Sequence, residues 1–85
     1  MGFLRALFGG GKPDVDKLKA QGDVEGLIKA LQFKGSARVR RDAAEALGDL
    51  GDQRAKVPLH TALEDDDNSV RIAAQTALGK LIKEG

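Results

Sequence analysis

The chain has 85 residues, a net charge of +1 at pH 7, 41% apolar and 32% charged residues, and no cysteine. That length holds one small domain with a limited core. The missing cysteines exclude a disulfide framework, a thiolate metal site and a cysteine nucleophile, and the near-neutral charge gives no electrostatic footprint for nucleic acid or an anionic membrane. Three Phe with no Trp and no Tyr point to closely packed Ala/Leu helices. No apolar run approaches the ~18–20 residues of a membrane span, and a cytoplasmic protein is the expectation.

Residues 1–11 read Met-Gly-Phe-Leu-Arg-Ala-Leu-Phe-Gly-Gly-Gly. Phe3, Leu4, Leu7 and Phe8 fall at one-turn spacing, which predicts a short amphipathic helix. The glycines at 9–11 predict a flexible tether to the helices after them. The segment lacks the length and cleavage pattern of a secretory signal, and Ala6 stands where a myristoylation signal prefers Ser or Thr. Its expected role is a cap folded back on the first helices, or a docking element. One Arg is weak support for lipid contact.

Residues 12–85 read as the helical domain, divided into a half-unit at 12–22, a first repeat at 23–52 and a second at 53–85. Lys12-Pro13-Asp14 is a helix-start signal for a short helix from about Val15 to Gln21, with Gly22 ending it. Asp23 can cap a helix running to about Lys34, whose Val24, Leu27, Ile28 and Leu31 form one apolar stripe. Gly26 inside it is expected to cost up to ~1 kcal/mol relative to Ala, which implies a close helix contact. After Gly35, with Ser36 as cap, a helix from about Ala37 to Leu50 carries Val39, Ala43, Ala46, Leu47 and Leu50 on one face, and Gly51-Asp52 stops it.

A further helix from about Gln53 to Glu64 has Val57, Leu59, Ala62 and Leu63 as its apolar residues. Pro58 within it predicts a kink or a shifted start. The run Asp65-Asp66-Asp67-Asn68-Ser69 reads as a tight polar turn with Asn68 or Ser69 as cap. The last helix, about Ser69 to Lys83, carries Val70, Ala74, Ala77, Leu78 and Leu81. Lys80 and Lys83 near its end suit the helix dipole.

One phrase occurs twice. Val39-Arg40-Arg41-Asp42-Ala43-Ala44-Glu45-Ala46-Leu47-Gly48-Asp49-Leu50 returns 31 residues later as Val70-Arg71-Ile72-Ala73-Ala74-Gln75-Thr76-Ala77-Leu78-Gly79-Lys80-Leu81. The preceding helices match at an offset of 32, Gly26-Leu27-Ile28-Lys29-Ala30-Leu31 with Pro58-Leu59-His60-Thr61-Ala62-Leu63. A fixed period in helix-forming sequence marks a helical repeat, in which each unit buries its apolar face against its neighbours. The fold class is therefore all-α, with about five helices.

The pattern Val-Arg-x-x-Ala-Ala-x-Ala-Leu-Gly-x-Leu, preceded by a Pro-Leu-x-x-Ala-Leu core, resembles the HEAT repeat. More closely it is similar to the phycobilisome-lyase-type HEAT-like repeats, as are the opening Met-Gly-Phe-Leu and the run Val-Glu-Gly-Leu-Ile-Lys-Ala-Leu at 24–31, which short archaeal and bacterial members share. The resemblance implies helical hairpins stacked into a right-handed α-α superhelix. It also implies surfaces that bind proteins and, in some branches, enzymes or nucleic-acid binders. Two departures stand out. The second repeat has the family's acidic turn ahead of its Val-Arg pair (Asp67 and Arg71), whereas the first has Lys34-Gly35-Ser36 there, so a stacked Asp–Arg ladder is expected only in part. The second phrase continues Leu81-Ile82 where the first has Leu50-Gly51, which is expected of a chain end.

Projected at 100° per residue, the outer face of the first phrase helix holds Arg41, Ala44, Glu45 and Gly48, and that of the second Ile72, Gln75, Thr76, Gly79 and Lys83. The resemblance implies that this face lines the concave side of the superhelix. Arg41, Glu45, Ile72 and Gln75 are the candidate partner-binding residues, with Ile72 as apolar anchor, although single exposed apolar residues are common. His60 is the one histidine. Glu64 alone is an acidic helix neighbour, so a surface histidine is expected. Deoxyhypusine hydroxylase, an iron enzyme of HEAT-like repeats, needs paired His-Glu motifs, and none occurs here.

Glu64 to Asp67 lacks the glycine and ligand spacing of a calcium loop; capping, and pairing with Arg40 or Arg71, is the better account. Arg38, Arg40 and Arg41 form a basic cluster, but Asp42 and Glu45 sit alongside it and no aromatic side chain offers base stacking. No catalytic, metal-binding or cofactor-binding residue is expected. The expected function is a non-catalytic protein–protein interaction or scaffolding module. The alternatives are an accessory subunit of a lyase-like enzyme related to bilin lyases and, less supported, nucleic-acid binding. Two repeats are fewer than the three or more that usually make a stable stack, so the end faces are expected to pair with another copy as a homodimer.

Overall fold

The computed structural model describes residues 11–84, without the side chains of 83 and 84; the expectation for Phe3, Leu4, Leu7 and Phe8 lies outside the described residues. Among those residues there are five α-helices, one 3-10 turn and no strand: α1 (Val15–Ala20), α2 (Val24–Leu31), α3 (Ala37–Leu50), the 3-10 turn Gln53–Ala55, α4 (Lys56–Ala62) and α5 (Asn68–Glu84). The chain is all-α, as its repeat pattern requires.

The expected starts and stops have physical causes. Asp14 Oδ1 accepts from the Lys17 N–H at 3.1 Å, Asp23 Oδ1 from the Gly26 N–H at 2.9 Å, and Ser36 Oγ from the Val39 N–H at 3.2 Å. Each satisfies a donor that the first helical turn leaves unpaired, worth about 1 kcal/mol. Gly22 and Gly51 follow α1 and α3 with φ of 65° and 70°, the left-handed conformation that ends a helix and suits glycine.

Two local expectations are corrected, and one open choice is decided. α2 ends at Leu31 rather than near Lys34. The Gln32 and Phe33 N–H groups tighten onto the carbonyls of Lys29 and Ala30, and the carbonyls of Phe33 and Lys34 accept from the Arg40 guanidinium instead of from helix donors. Of the kink and the shifted start that Pro58 predicts, the structure has the shifted start. The 3-10 turn displaces the start of α4 to Lys56, which leaves Pro58 in the first turn, where a missing N–H deprives the helix of nothing. The cap of α5 is Asp67 rather than Asn68 or Ser69: its Oδ1 accepts from the Ser69 N–H at 2.8 Å, the Ser69 hydroxyl at 2.5 Å and the Val70 N–H at 3.3 Å.

α2 packs on α3 and α4 on α5, α3 and α5 lie side by side, and α1 closes against α2 and α3. Leu27, Leu47, Leu59, Val70 and Leu81 are fully buried between these layers, and no polar or charged residue is buried among the described residues. Glycine and alanine set the close approaches. A Cβ at Gly26 would stand 2.8 Å from Leu18 Cδ2 on α1, the close contact expected there, and one at Gly48 would stand 2.8 Å from both Cα and Cβ of Ala77. Ala44 and Gly48, expected on an outer face, are therefore buried. A single-helix projection places them opposite the core without knowing that α5 covers that arc.

Candidate functional site

With α3 capped by Ser36 and α5 by Asp67, the N-terminal and middle turns of the two helices border one groove. It has a volume of about 230 Å³ and is lined by Arg41 and Glu45 of α3 and by Ser69, Ile72, Ala73 and Thr76 of α5. Ile72 is 54% exposed. Arg41 is held by its neighbour: its Nε and Nη2 donate to Asp42 Oδ1 at 3.2 and 2.9 Å. That hydrogen bond, with the Asp42 charge, raises the Arg41 pKa. Glu45, one turn further along α3 on the same wall of the groove, is exposed. The arrangement sets an exposed aliphatic side chain on α5 opposite a basic and an acidic side chain one turn apart on α3, which suits contact with a partner side chain.

Of the four residues singled out from sequence, Arg41, Glu45 and Ile72 line this groove and Gln75 does not. Gln75 occupies on α5 the slot that Ala44 occupies on α3, 31 residues earlier, and so faces away from α3. Ser69 and Ala73 are lining residues that the helical projection does not select. With Asp67 as cap, Ser69 becomes the second residue of α5 and lines the same groove as Arg41; the Asp-x-Ser spacing was the available signal.

A larger groove of about 670 Å³ runs between the C-terminal end of α2 and the length of α4, with Leu31, Val57, Pro58, Thr61, Glu64 and Asp66 among its lining. Val57, counted with the apolar residues of its helix, is 74% exposed. The displaced start of α4 leaves it in the first turn, ahead of the first buried position, Leu59. At one end Arg40 donates from Nε and Nη2 to Asp65 at 2.9 and 3.1 Å, and both side chains are 13% exposed. Burial pushes the Asp65 carboxyl up, but the Arg40 hydrogen bond and the Asp67 N–H outweigh it and hold the group below the usual carboxylate range.

Arg71 does not meet a carboxylate. It donates to the carbonyls of Asp65 and Asp66 at 2.7 and 3.1 Å and to Asn68 Oδ1 at 3.2 Å. The least exposed charged link between the repeats is thus Arg40 to Asp65. A second link is exposed: Asp49 accepts from Lys19 of α1 at 2.8 Å and from Lys80 of α5 at 2.6 Å. Those hydrogen bonds lower its pKa, although ion pairs this exposed add little stability.

His60 is exposed on α4. Among the described residues no three His, Cys, Asp or Glu side chains converge as a metal site, and no helix is long and apolar enough to cross a membrane.

Two comparisons with known proteins agree with this architecture. Residues 24–85 match the family model described as HEAT repeats. The HEAT repeat-containing taxis protein OE_2401F of Halobacterium salinarum is 44% identical over 68 residues, 78% of this chain and 17% of that protein. The chain thus matches a small part of a much longer relative.

Proposed function

The chain belongs to the HEAT-repeat family, and on that premise we propose that it is a non-catalytic module that binds a protein through the groove between α3 and α5. The observation that carries the reading is the juxtaposition of Ile72 with Arg41 and Glu45 around one groove. An exposed aliphatic anchor beside paired charges of opposite sign is the composition of a small protein-binding hot spot. Arg41 arrives already oriented by Asp42, so less side-chain entropy is lost when a partner engages it. The similarity to a taxis protein directs the search for that partner to the components of taxis signalling.

The test is calorimetric titration of the purified chain against purified taxis-signalling proteins, in wild type and with Ile72→Asp and Arg41→Glu. A saturable interaction with one of them, weakened roughly tenfold or more by each substitution while the helical spectrum is unchanged, is the expected result. Binding indifferent to both substitutions would remove the groove from the account.

A further inference from the structure

α5 carries a copy of the surface through which α3 receives α5, and no described residue covers it. On α3 that surface is Ala44 and Gly48, one turn apart and both buried, with Gly48 pressed against the Ala77 backbone. The same slots on α5, 31 residues later, hold Gln75 and Gly79. Both are exposed, and a Cβ at Gly79 would meet nothing within 4 Å. Ile72 and Ile82 flank them, 54% and 69% exposed.

Steps of three, four and three residues make Ile72, Gln75, Gly79 and Ile82 a single stripe, on the side of α5 opposite the buried Val70, Ala74, Ala77 and Leu81. No charged side chain from the described part of α5 enters it. Lys80 turns toward α3 and meets Asp49, and Arg71 folds back onto the carbonyls of Asp65 and Asp66.

We infer that this stripe is a self-association surface, on which the stripe of a second copy packs antiparallel. The order Ile-Gln-Gly-Ile is self-complementary under a two-fold axis near Ala77. Ile72 of one copy faces Ile82 of the other, and Gln75 faces Gly79, a long side chain over a position that has none. Each contact then occurs twice, as an isologous interface requires. Among the described side chains none within the stripe is charged, so none of these opposes a like charge across the axis. Gly79 permits the close backbone approach that Gly48 already makes with Ala77 inside the chain. The stripe runs along only about 15 Å of helix, well short of an interface of ~800 Å² per partner, so the dimer is concentration-dependent rather than obligate. This inference does not rest on the groove between α3 and α5, with which the stripe shares only Ile72.

Sedimentation equilibrium of the full chain over a concentration series, in wild type and with Gly79→Arg and Ile82→Glu, tests it. Both substitutions are on an open helix surface, and Arg is a better helix former than Gly, so the helical spectrum is retained. Wild type is expected to dimerise, and each variant to raise the dissociation constant roughly 30-fold. In an equal mixture of Gln75→Cys and Gly79→Cys chains, a disulfide is expected to form between unlike chains faster than within either chain alone. A wild-type monomer at every concentration overturns the inference, as does a dimer untouched by Gly79→Arg. A dimer abolished by Leu7→Asp but kept by Gly79→Arg would assign association to the N-terminal segment instead. Equal cross-linking in the mixture and in the Gln75→Cys chain alone would overturn the antiparallel register.

Discussion

α3 and α5 carry the same phrase, yet among the described residues α3 has helices packed around it on three sides and α5 on two. Slot by slot, the neighbours decide what each residue does. Gly48 lets the Ala77 backbone come close, whereas Gly79 meets open space. Ala44 is buried and Gln75 is exposed. Arg40 and Arg71 each hold the carbonyls of the turn before their own helix, but Arg40 also reaches the Asp65 carboxylate of the following hairpin. In a repeat protein stability is a sum of unit and nearest-neighbour terms, and among the described residues the same unit stands once with and once without a following neighbour.

Leucine truncation in equivalent slots should break this comparison most violently. Leu47 is 0% exposed and Leu78 is 6% exposed, although they occupy one slot of the phrase. Leu47→Ala is expected to cost ~3–5 kcal/mol and Leu78→Ala nearer 2 kcal/mol, within the usual range for core truncations, both read from urea unfolding. Equal losses would mean that the missing neighbour does not weaken the second unit.

Legibility in the sequence divides along the same line. Apolar spacing and short caps belong to one helix at a time, so the helix count, the Asp23 and Ser36 caps and the buried stripes can be read without a structure. Ala44 and Gly48 cannot, because their burial comes from a helix some 30 residues away in the chain. Pro58 and Asp67 fall between these cases. Each is a local signal, but the 3-10 turn before α4 and the three donors converging on Asp67 choose among readings that spacing leaves open. The groove is partly legible: Arg41, Glu45 and Ile72 come from the helical projection, while Gln75 is misplaced because the projection does not tell the side facing α3 from the side facing away.

The arginine slots give the next largest contrast. Arg40→Ala removes two bonds to Asp65 and two to turn carbonyls, and leaves a poorly exposed carboxylate without its cation. A loss of ~2–3 kcal/mol is expected. Arg71→Ala removes bonds to neutral acceptors only and should cost about 1 kcal/mol. Chemical denaturation of the two variants measures the difference directly. Losses of equal size would show that the Asp65 contact contributes nothing beyond the carbonyl contacts.

The glycines should differ in sign as well as size. Gly48→Ala puts a methyl 2.8 Å from Ala77 backbone and side-chain carbon, and the overpacking cost of ~1–3 kcal/mol exceeds the gain in helix propensity. Gly79→Ala meets nothing and should stabilise the monomer by ~0.5–1 kcal/mol. Thermal melts at low concentration, where self-association is negligible, separate the two. Two stabilising substitutions would mean that α3 and α5 can part enough to admit a methyl at no cost, contrary to the close packing of Gly48 on Ala77.

The smallest expected effect is a dependence on pH that belongs to one turn and not to the other. The turn before α5 supplies Asp65 to Arg40, while the turn before α3, Lys34-Gly35-Ser36, has no acid to offer. Burial works against the ionised Asp65, yet the Arg40 and Asp67 hydrogen bonds leave its pKa lowered in the folded chain. A lowered folded-state pKa means that the unfolded chain binds the proton more readily. The contribution to stability is therefore complete above the ordinary carboxylate pKa of about 3.9 and is lost as the pH falls through that value toward the lower native one. Asp65→Asn should remove part of the stability at pH 7 and flatten the decline below about pH 4, measured as unfolding free energy across an acid series. Asp49, Asp52 and Asp67, whose pKa values are also lowered by hydrogen bonds, keep some slope in the variant. An acid series in which Asp65→Asn runs parallel to wild type would show that Arg40 gains no more from the charged carboxylate than from a neutral amide, and would leave the turn carbonyls as the main reason for an arginine in that slot.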